Sequence, residues 1–402
     1  MALNDIKFEK SNGGMGRTAA NEDVNSGLLI SMNGKITASE LSAFDKVGDL
    51  YIAKLSYYEQ LKIQYGIFYK EPTGSGSALD AIYAGNTIDY HVREFFRISP
   101  TGKLWLAIRL NGEVAAANIN GLQYYAEGTL RQIGIFTATL TDLAAYQTAS
   151  DELEQEHQPL SVIVTCNKGT LTLSSLTTAE HTTAGRCNIS VLVGCDLDAS
   201  VIATLGDEHF AYYGCIGNCL GSVSKAVVNE CIAWVQKFPC GLNLPGFITG
   251  DLVKETSSTE QNLINDNRYI FVRTHIGRAG NYYNDSFTLD FETSDYANIE
   301  NVRTMDKATR GIRTNLLPQL NAPLYVNPST GKLSSDTVKS LEVTASRALE
   351  DMEKAGELSG YKVEIDPNQN VLATSQLEVQ IKNVPVGVMR KVLVKIGYTT
   401  QI

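Results

Sequence analysis

The chain has 402 residues, of which 43% are hydrophobic and 19% charged. That is enough apolar material for a buried core and too little charge for a disordered tail. The formal net charge of -10 excludes a general nucleic-acid coat, because such binding needs clustered Lys and Arg to displace counterions.

At roughly 150 residues per domain, two or three domains are expected, or one compact body with appendages. The first ten residues, MALNDIKFEK, offer no apolar stretch of the length a secretory signal requires. The longest apolar runs, Ser161 to Cys166 and Ile189 to Val193, are strand-length and far short of the ~20 residues of a membrane span. The expectation is a chain made and kept in the cytoplasm, without membrane insertion. All seven cysteines fall between Cys166 and Cys240. An odd number confined to one segment fits reduced thiols better than a disulfide framework.

In chain order, Ile6 and Phe8 alternate with charged residues, a short strand pattern that Gly13, Gly14 and Gly16 break. Leu28 to Ile30 reads as a buried strand, Ala43 to Gly48 as a loop and Tyr51 to Gln60 as a helix. Ile82 to Phe96 has helical spacing, and Leu104 to Leu110 is a strand with Trp105 inside it. Gly134 to Phe136, Ser161 to Thr165 and Ile189 to Val193 read as strands, with a helix over Asp142 to His157. Strands alternating with helices predict an α/β layer with a mostly parallel sheet. Leu220, Val223, Val227, Cys231, Trp234, Val235 and Phe238 step by threes and fours and predict a long helix stopped by Pro239. Tyr269 to Arg273 and Asp285 to Glu292 read as strands. Ile299 to Leu317 and Asp336 to Ala355 read as amphipathic helices. Two alternating stretches follow, Tyr361 to Ile365 and Leu377 to Ile381, and a final strand is expected over Val388 to Ile396.

Catalytic hardware is sparse. The two TGK sites, at Lys103 and Lys332, are followed by leucine and lack the upstream glycine of a phosphate loop. Gly221-Ser222-Val223-Ser224 lacks the closing glycine of a nucleophile elbow. The histidines His91, His157, His181, His209 and His275 sit in no recognisable motif with a carboxylate or thiol. Cys215 and Cys219, spaced CxxxC at a helix start, read either as buried small apolar residues or as a nucleophile served by His209 or His275. Asp207 with Glu208, and Glu152, Glu154 and Glu156, read as solvated faces. No cofactor or metal is expected.

The chain ends are unusual. A terminal strand exposes unpaired backbone donors and acceptors unless it joins a sheet. The strand patterns at both ends are flanked by hinge residues, the early glycines and Pro385 with Gly387. This leaves two readings: each end strand pairs within its own domain, or each is donated to a neighbour's sheet. Arg303, Lys307 and Arg310 form a basic stripe roughly opposite the apolar face of their helix, with Arg313 beside it. The stripe reads as a solvated face or as a docking surface for an acidic partner.

The last third resembles the carboxyl-terminal region of contractile tail sheath proteins of bacteriophages and pyocin-like injection machines. The resemblance rests on Ser294-Asp295-Tyr296 before the basic helix, on Gly356 to Val363 after the long helix, and on the closing strands. Gly214, Gly217 and Gly221, entering the helix toward Trp234-Val235, extend it to roughly residues 200 to 402 plus the amino-terminal arm. It implies an α/β (α+β) chain with an N-terminal arm over 1–25, an outer α/β domain over 26–265, an inner, tube-facing domain over 266–385 and a C-terminal arm over 386–402. It further implies a non-enzymatic subunit that polymerises helically around an inner tube and contracts to drive the tube through a target cell envelope. Expected partners are further copies of itself, the tube protein, and baseplate and tail terminator proteins, with no nucleic acid. Assembly would take place in the host cell cytoplasm. On this reading Arg303, Lys307, Arg310 and Arg313 face the tube, and Ile6, Phe8, Val388, Val392, Val394 and Ile396 carry the intersubunit arms. A cytoplasmic Cys-dependent hydrolase and another phage tail structural protein are the alternatives.

Overall fold

The computed structural model describes residues 22–167, 171–178, 185–327 and 331–399. Seven strands form the central sheet: β1 (Asn25–Ser31), β2 (Asp45–Val47), β3 (Leu50–Leu55), β4 (Lys103–Arg109), β5 (Gln132–Phe136), β6 (Ser161–Thr165) and β7 (Ile189–Val191), in the order β2-β3-β4-β1-β5-β6-β7. Pairing is parallel from β4 through β1, β5 and β6 to β7, and antiparallel at the β2-β3-β4 edge. The α/β expectation is met. β1 sits in the middle of the sheet and buries all seven residues, as a strand covered on both faces must.

The two faces separate residue by residue. Leu28, Ile30, Leu104, Leu106, Ile108 and Ile163 point into one core, whereas Leu29, Trp105, Ala107, Ile133, Ile135, Val162 and Val164 point into the other, following the two-residue period of a strand. The helices in chain order are α1 (Glu59–Tyr65), α2 (Ser77–Ile98), α3 (Ala116–Tyr125), α4 (Leu143–Gln155), α5 (Leu173–Thr178), α6 (Ala199–Leu205), α7 (Ile216–Lys225) and α8 (Ser258–Asp266). α2 and α7 cover the first face, and α3 and α4 the second. α7 lies unusually close to α2: a Cβ on Gly217 would stand 2.0 Å from the His91 carbonyl oxygen, and one on Gly221 2.8 Å from that of Phe95. Only glycine permits this approach.

Three expectations are corrected. Residues 51–55 form part of β3 rather than a helix, because Leu50 to Leu55 pairs antiparallel with β4 and buries five of its six residues. The long helix expected to reach Phe238 ends at Lys225. Ala226 is extended (φ -68, ψ 137), and Ile232 and Phe238 reach the core from turns instead. Asp285 to Glu292 makes only isolated bridges, Phe287 to Asn298 and Leu289 to Arg186, and Phe291 is half exposed.

Two small pairs, β8 (Gly194–Asp196) with β9 (Pro245–Phe247) and β10 (Val272–Thr274) with β11 (Asn281–Tyr283), pack on the sheet. Ile270, Val272, Tyr283 and Ile299 belong to the first core, and Tyr269, Phe271 and Leu289 to the second. The packing of the central body therefore continues past residue 265. Beyond it, α9 (Ile299–Leu316) and α10 (Ser335–Lys354) lie against each other and against β12 (Leu358–Glu364), which pairs antiparallel with β13 (Gln380–Pro385). Ala308, Leu349, Met352 and Leu358 are the buried residues of this smaller core. Both outer edges of the β12–β13 pair are without a ladder partner among the described residues.

Candidate functional site

The thiols do not make a reactive centre. Cys215 and Cys219 are buried, and burial pushes the Cys215 thiol up to about 12 and that of Cys219 well above its ordinary value. A nucleophilic cysteine needs the opposite shift. His91 is buried edge-on to Phe136, and burial drives it down to about 3, so its imidazole is neutral. His209 faces Asp80 at 3.5 Å and stacks near Tyr83, with no thiol among its partners. Among the described residues no cluster of three or more His, Cys, Asp or Glu side chains could hold a metal ion. Nor is any described helix long and apolar enough to cross a membrane.

The chain ends carry the distinctive geometry. After β13 the chain continues through Val386 to Arg390 along a cleft of about 750 Å³ that Trp234, Val235, Arg273 and His275 also line. Here Arg390 reaches inward. Its Nε donates to the two Asp285 carboxylate oxygens at 3.1 and 3.0 Å, and its Nη2 donates to Glu300. The Glu300 side chain is 2% exposed. Burial raises the Glu300 carboxyl, with Arg390 and the Ser286 hydroxyl opposing the rise. Burial also works against the Arg390 charge, but Asp285 and Glu300 outweigh it and keep the guanidinium protonated. Paired, hydrogen-bonded charges are the form in which buried ions are tolerated.

Downstream of this clamp the character of the chain reverses. Val392, Leu393, Val394 and Ile396 are 67, 85, 73 and 95% exposed. Residues 386–398 pair with no strand among the described residues. Val388 is half-buried beside the cleft. The strand expected over Val388 to Ile396 is therefore not formed among the described residues; the segment is apolar but joins no ladder there. Ile6 and Phe8 lie outside the described residues.

The basic stripe is not an open surface. Arg303 is 3% exposed and donates from Nη1 to the Ala226 carbonyl and from Nη2 to the Asp23 carbonyl, both at 3.2 Å. Lys307 Nζ lies 2.8 Å from Asp23 and 2.6 Å from Glu357, and Arg310 Nη2 lies 3.1 Å from Asp23. The face opposite the apolar one is covered by the short turn Glu22–Val24 and by the approach to β12. Burial opposes the Asp23 charge, but Lys307, Arg310 and Arg303 outweigh it and hold the carboxyl below its ordinary value. Of the four residues, Arg313 is the exposed one. The three-and-four spacing correctly placed Arg303, Lys307 and Arg310 together. It carried no sign of the acid across from them, since Asp23 and Lys307 are 284 positions apart. Arg390, Asp285 and Glu300 were likewise missed; the lone arginine inside an apolar terminal run was the available signal.

Two family models match: that for the DUF2586 N-terminal domain over residues 73–287 and that for the DUF2586 C-terminal domain over residues 295–402. A search of the curated proteins gave no match. Among solved structures, a chain of the contracted helical sheath of the anti-feeding prophage is similar at 14% identity and TM-score 0.60, covering 100% of both chains. A chain of the contracted sheath complex of PVC, an extracellular contractile injection system, is similar at 13% identity and TM-score 0.61, covering 100% of this chain and 98% of that one. A chain of the six-fold symmetrised anti-feeding prophage baseplate gives 13% identity and TM-score 0.59, covering 100% of both. The chain belongs to the DUF2586 family and has the fold found in these contractile injection system assemblies.

Proposed function

We propose that the chain is the structural subunit of a contractile sheath, polymerising helically around an inner tube and shortening to drive that tube through a target envelope. The observation that carries this reading is the apolar segment Val392 to Ile396, exposed and, among the described residues, without a ladder, together with a strand pair, β12–β13, whose outer edges are open among those residues. A solvent-exposed strand of this composition is an aggregation hazard unless it has a destination, and a neighbour's sheet edge provides one through main-chain hydrogen bonds. The contact is heterologous, a tail on one copy against an edge on the next, so it builds an open helix rather than a closed ring. The shared fold with chains of contracted sheath complexes supports the same reading.

Contraction is then a collective rigid-body rearrangement in which linked subunits settle into a lower-energy packing, and the subunit itself needs no enzymatic centre. The raised thiols weigh against a cysteine hydrolase. The proposed partners are further copies, a tube protein, and baseplate and terminator proteins, with assembly in the host cytoplasm. We place the α9–α10 layer toward the tube, with Arg313 as the contact turned outward. The test is electron microscopy of the purified chain and of a variant lacking residues 388–402. Tubular polymers from the first and only dispersed subunits from the second support the proposal; equal polymers from both overturn strand donation.

A further inference from the structure

The roots of the two chain ends are held by the same helix. At the first turn of α9, Glu300 accepts from Arg390, the last residue before the exposed C-terminal segment. Further along, Lys307 and Arg310 grip the Asp23 carboxylate, while Arg303 binds its carbonyl. Asp23 lies in the first turn of described chain, immediately after residues 1–21. Glu300 stands in the first turn of α9, where the helix dipole favours an acid. Glu300 and Arg310 are ten residues apart, a span of ~15 Å along a helix axis.

We infer that α9 is a common anchor that fixes where both arms leave the body and holds the two exits at a set separation. The inference rests on the reading of both ends as intersubunit arms. Each root is secured by charge-assisted hydrogen bonds to side chains that are largely withdrawn from water, so neither can shift by small steps. Removing Glu300 leaves Arg390 to Asp285 alone, and removing the Asp23 charge leaves Lys307 to Glu357 alone, a weaker hold at each root. Asp285 adds a second carboxylate at the C-terminal root, and Glu22 pairs with Arg131 beside the N-terminal one. A pull on either arm is thereby delivered to one rigid element. In a mesh of linked subunits, such an anchor would carry load from one neighbour to another through α9 without straining the central sheet.

The test is the distance between spin labels introduced by unnatural amino acids at Glu22 and Lys391 in the full-length chain, measured on dispersed subunits. The wild type is expected to give one narrow distance distribution. Glu300→Gln and Asp23→Asn each remove a charge at nearly constant shape and should abolish that narrow distribution, while amide exchange in the central sheet stays unchanged. Should Glu300→Gln disturb the sheet, Arg390→Lys serves in its place; it keeps the charge, loses the fork to two carboxylates, and is expected to broaden the distances too. A broad distribution in the wild type, or a narrow one in every variant, overturns the inference. Polymerisation is scored separately. A narrow wild-type distance combined with normal polymers from a chain lacking residues 388–402 leaves the anchor standing and removes the arm reading.

Discussion

The central sheet and the segment after Arg390 are built from the same residue types and meet opposite fates. Leu28, Leu29 and Ile30 on β1 are 0% exposed, whereas Val392, Leu393 and Val394 are 67 to 85% exposed. β1 has parallel partners on both sides, and the C-terminal segment has none among the described residues. A strand's stability thus comes from the neighbours that satisfy its backbone and cover its faces, not from its own composition. The sheet body is complete within one chain; the tail, on the proposed reading, is completed by a neighbour.

The largest expected effect attacks that contrast directly. Deleting residues 391–402, which leaves Arg390 on Asp285 and Glu300, should abolish polymers while leaving the subunit's melting temperature almost unchanged, as calorimetry of dispersed subunits would show. A lowered melting temperature would mean that the tail belongs to its own body. Point substitutions sharpen the same comparison. Leu106→Ala in the buried sheet should cost about 2–5 kcal/mol in denaturant unfolding, and Gly217→Ala about 3 kcal/mol through its clash with the His91 carbonyl. Val394→Ala should cost the dispersed subunit less than ~0.5 kcal/mol yet weaken assembly. At the boundary between the two regions, Arg390→Ala should destabilise by about 1–3 kcal/mol, because it strips a charged donor from two carboxylates.

A pH dependence is also expected inside the C-terminal layer. Burial pushes the Asp306 carboxyl up to about 7 from its ordinary 3.8, with Arg310 opposing the rise. The folded chain therefore holds a proton that the unfolded chain releases, and this contribution to stability is present below pH 3.8 and lost as pH rises toward 7. Asp306→Asn should flatten the fall in stability between those pH values. Parallel slopes for wild type and variant would assign the dependence to another group.

Much of the body was legible from the residues themselves. β6 was read residue for residue from the β-branched run Ser161 to Thr165, and α9 and α10 from their apolar stripes, because burial on one face or two leaves a period in the chain. Periodicity misled where tertiary contacts chose between outcomes. Tyr51 to Leu55 was claimed by β4, and the apolar steps after Ala226 were satisfied from turns. The site was less legible than the fold. The basic stripe shows in the sequence, but its pairing with Asp23 and the clamp of Arg390 on Asp285 and Glu300 join residues 90 or more positions apart, and no local pattern encodes such a meeting. The exposed tail is the reverse case: its alternating apolar pattern is plain, and what distinguishes it is that it joins no sheet among the described residues, which only the folded chain displays.

The most direct measurement is a cryo-EM reconstruction of the polymer that resolves residues 391–399. Strand donation predicts that this segment is hydrogen-bonded along the open edge of β12 or β13 of a different subunit, with its own Arg390 still seated on Asp285 and Glu300. A segment folded back against its own sheet, in a polymer held together by other surfaces, would contradict the account.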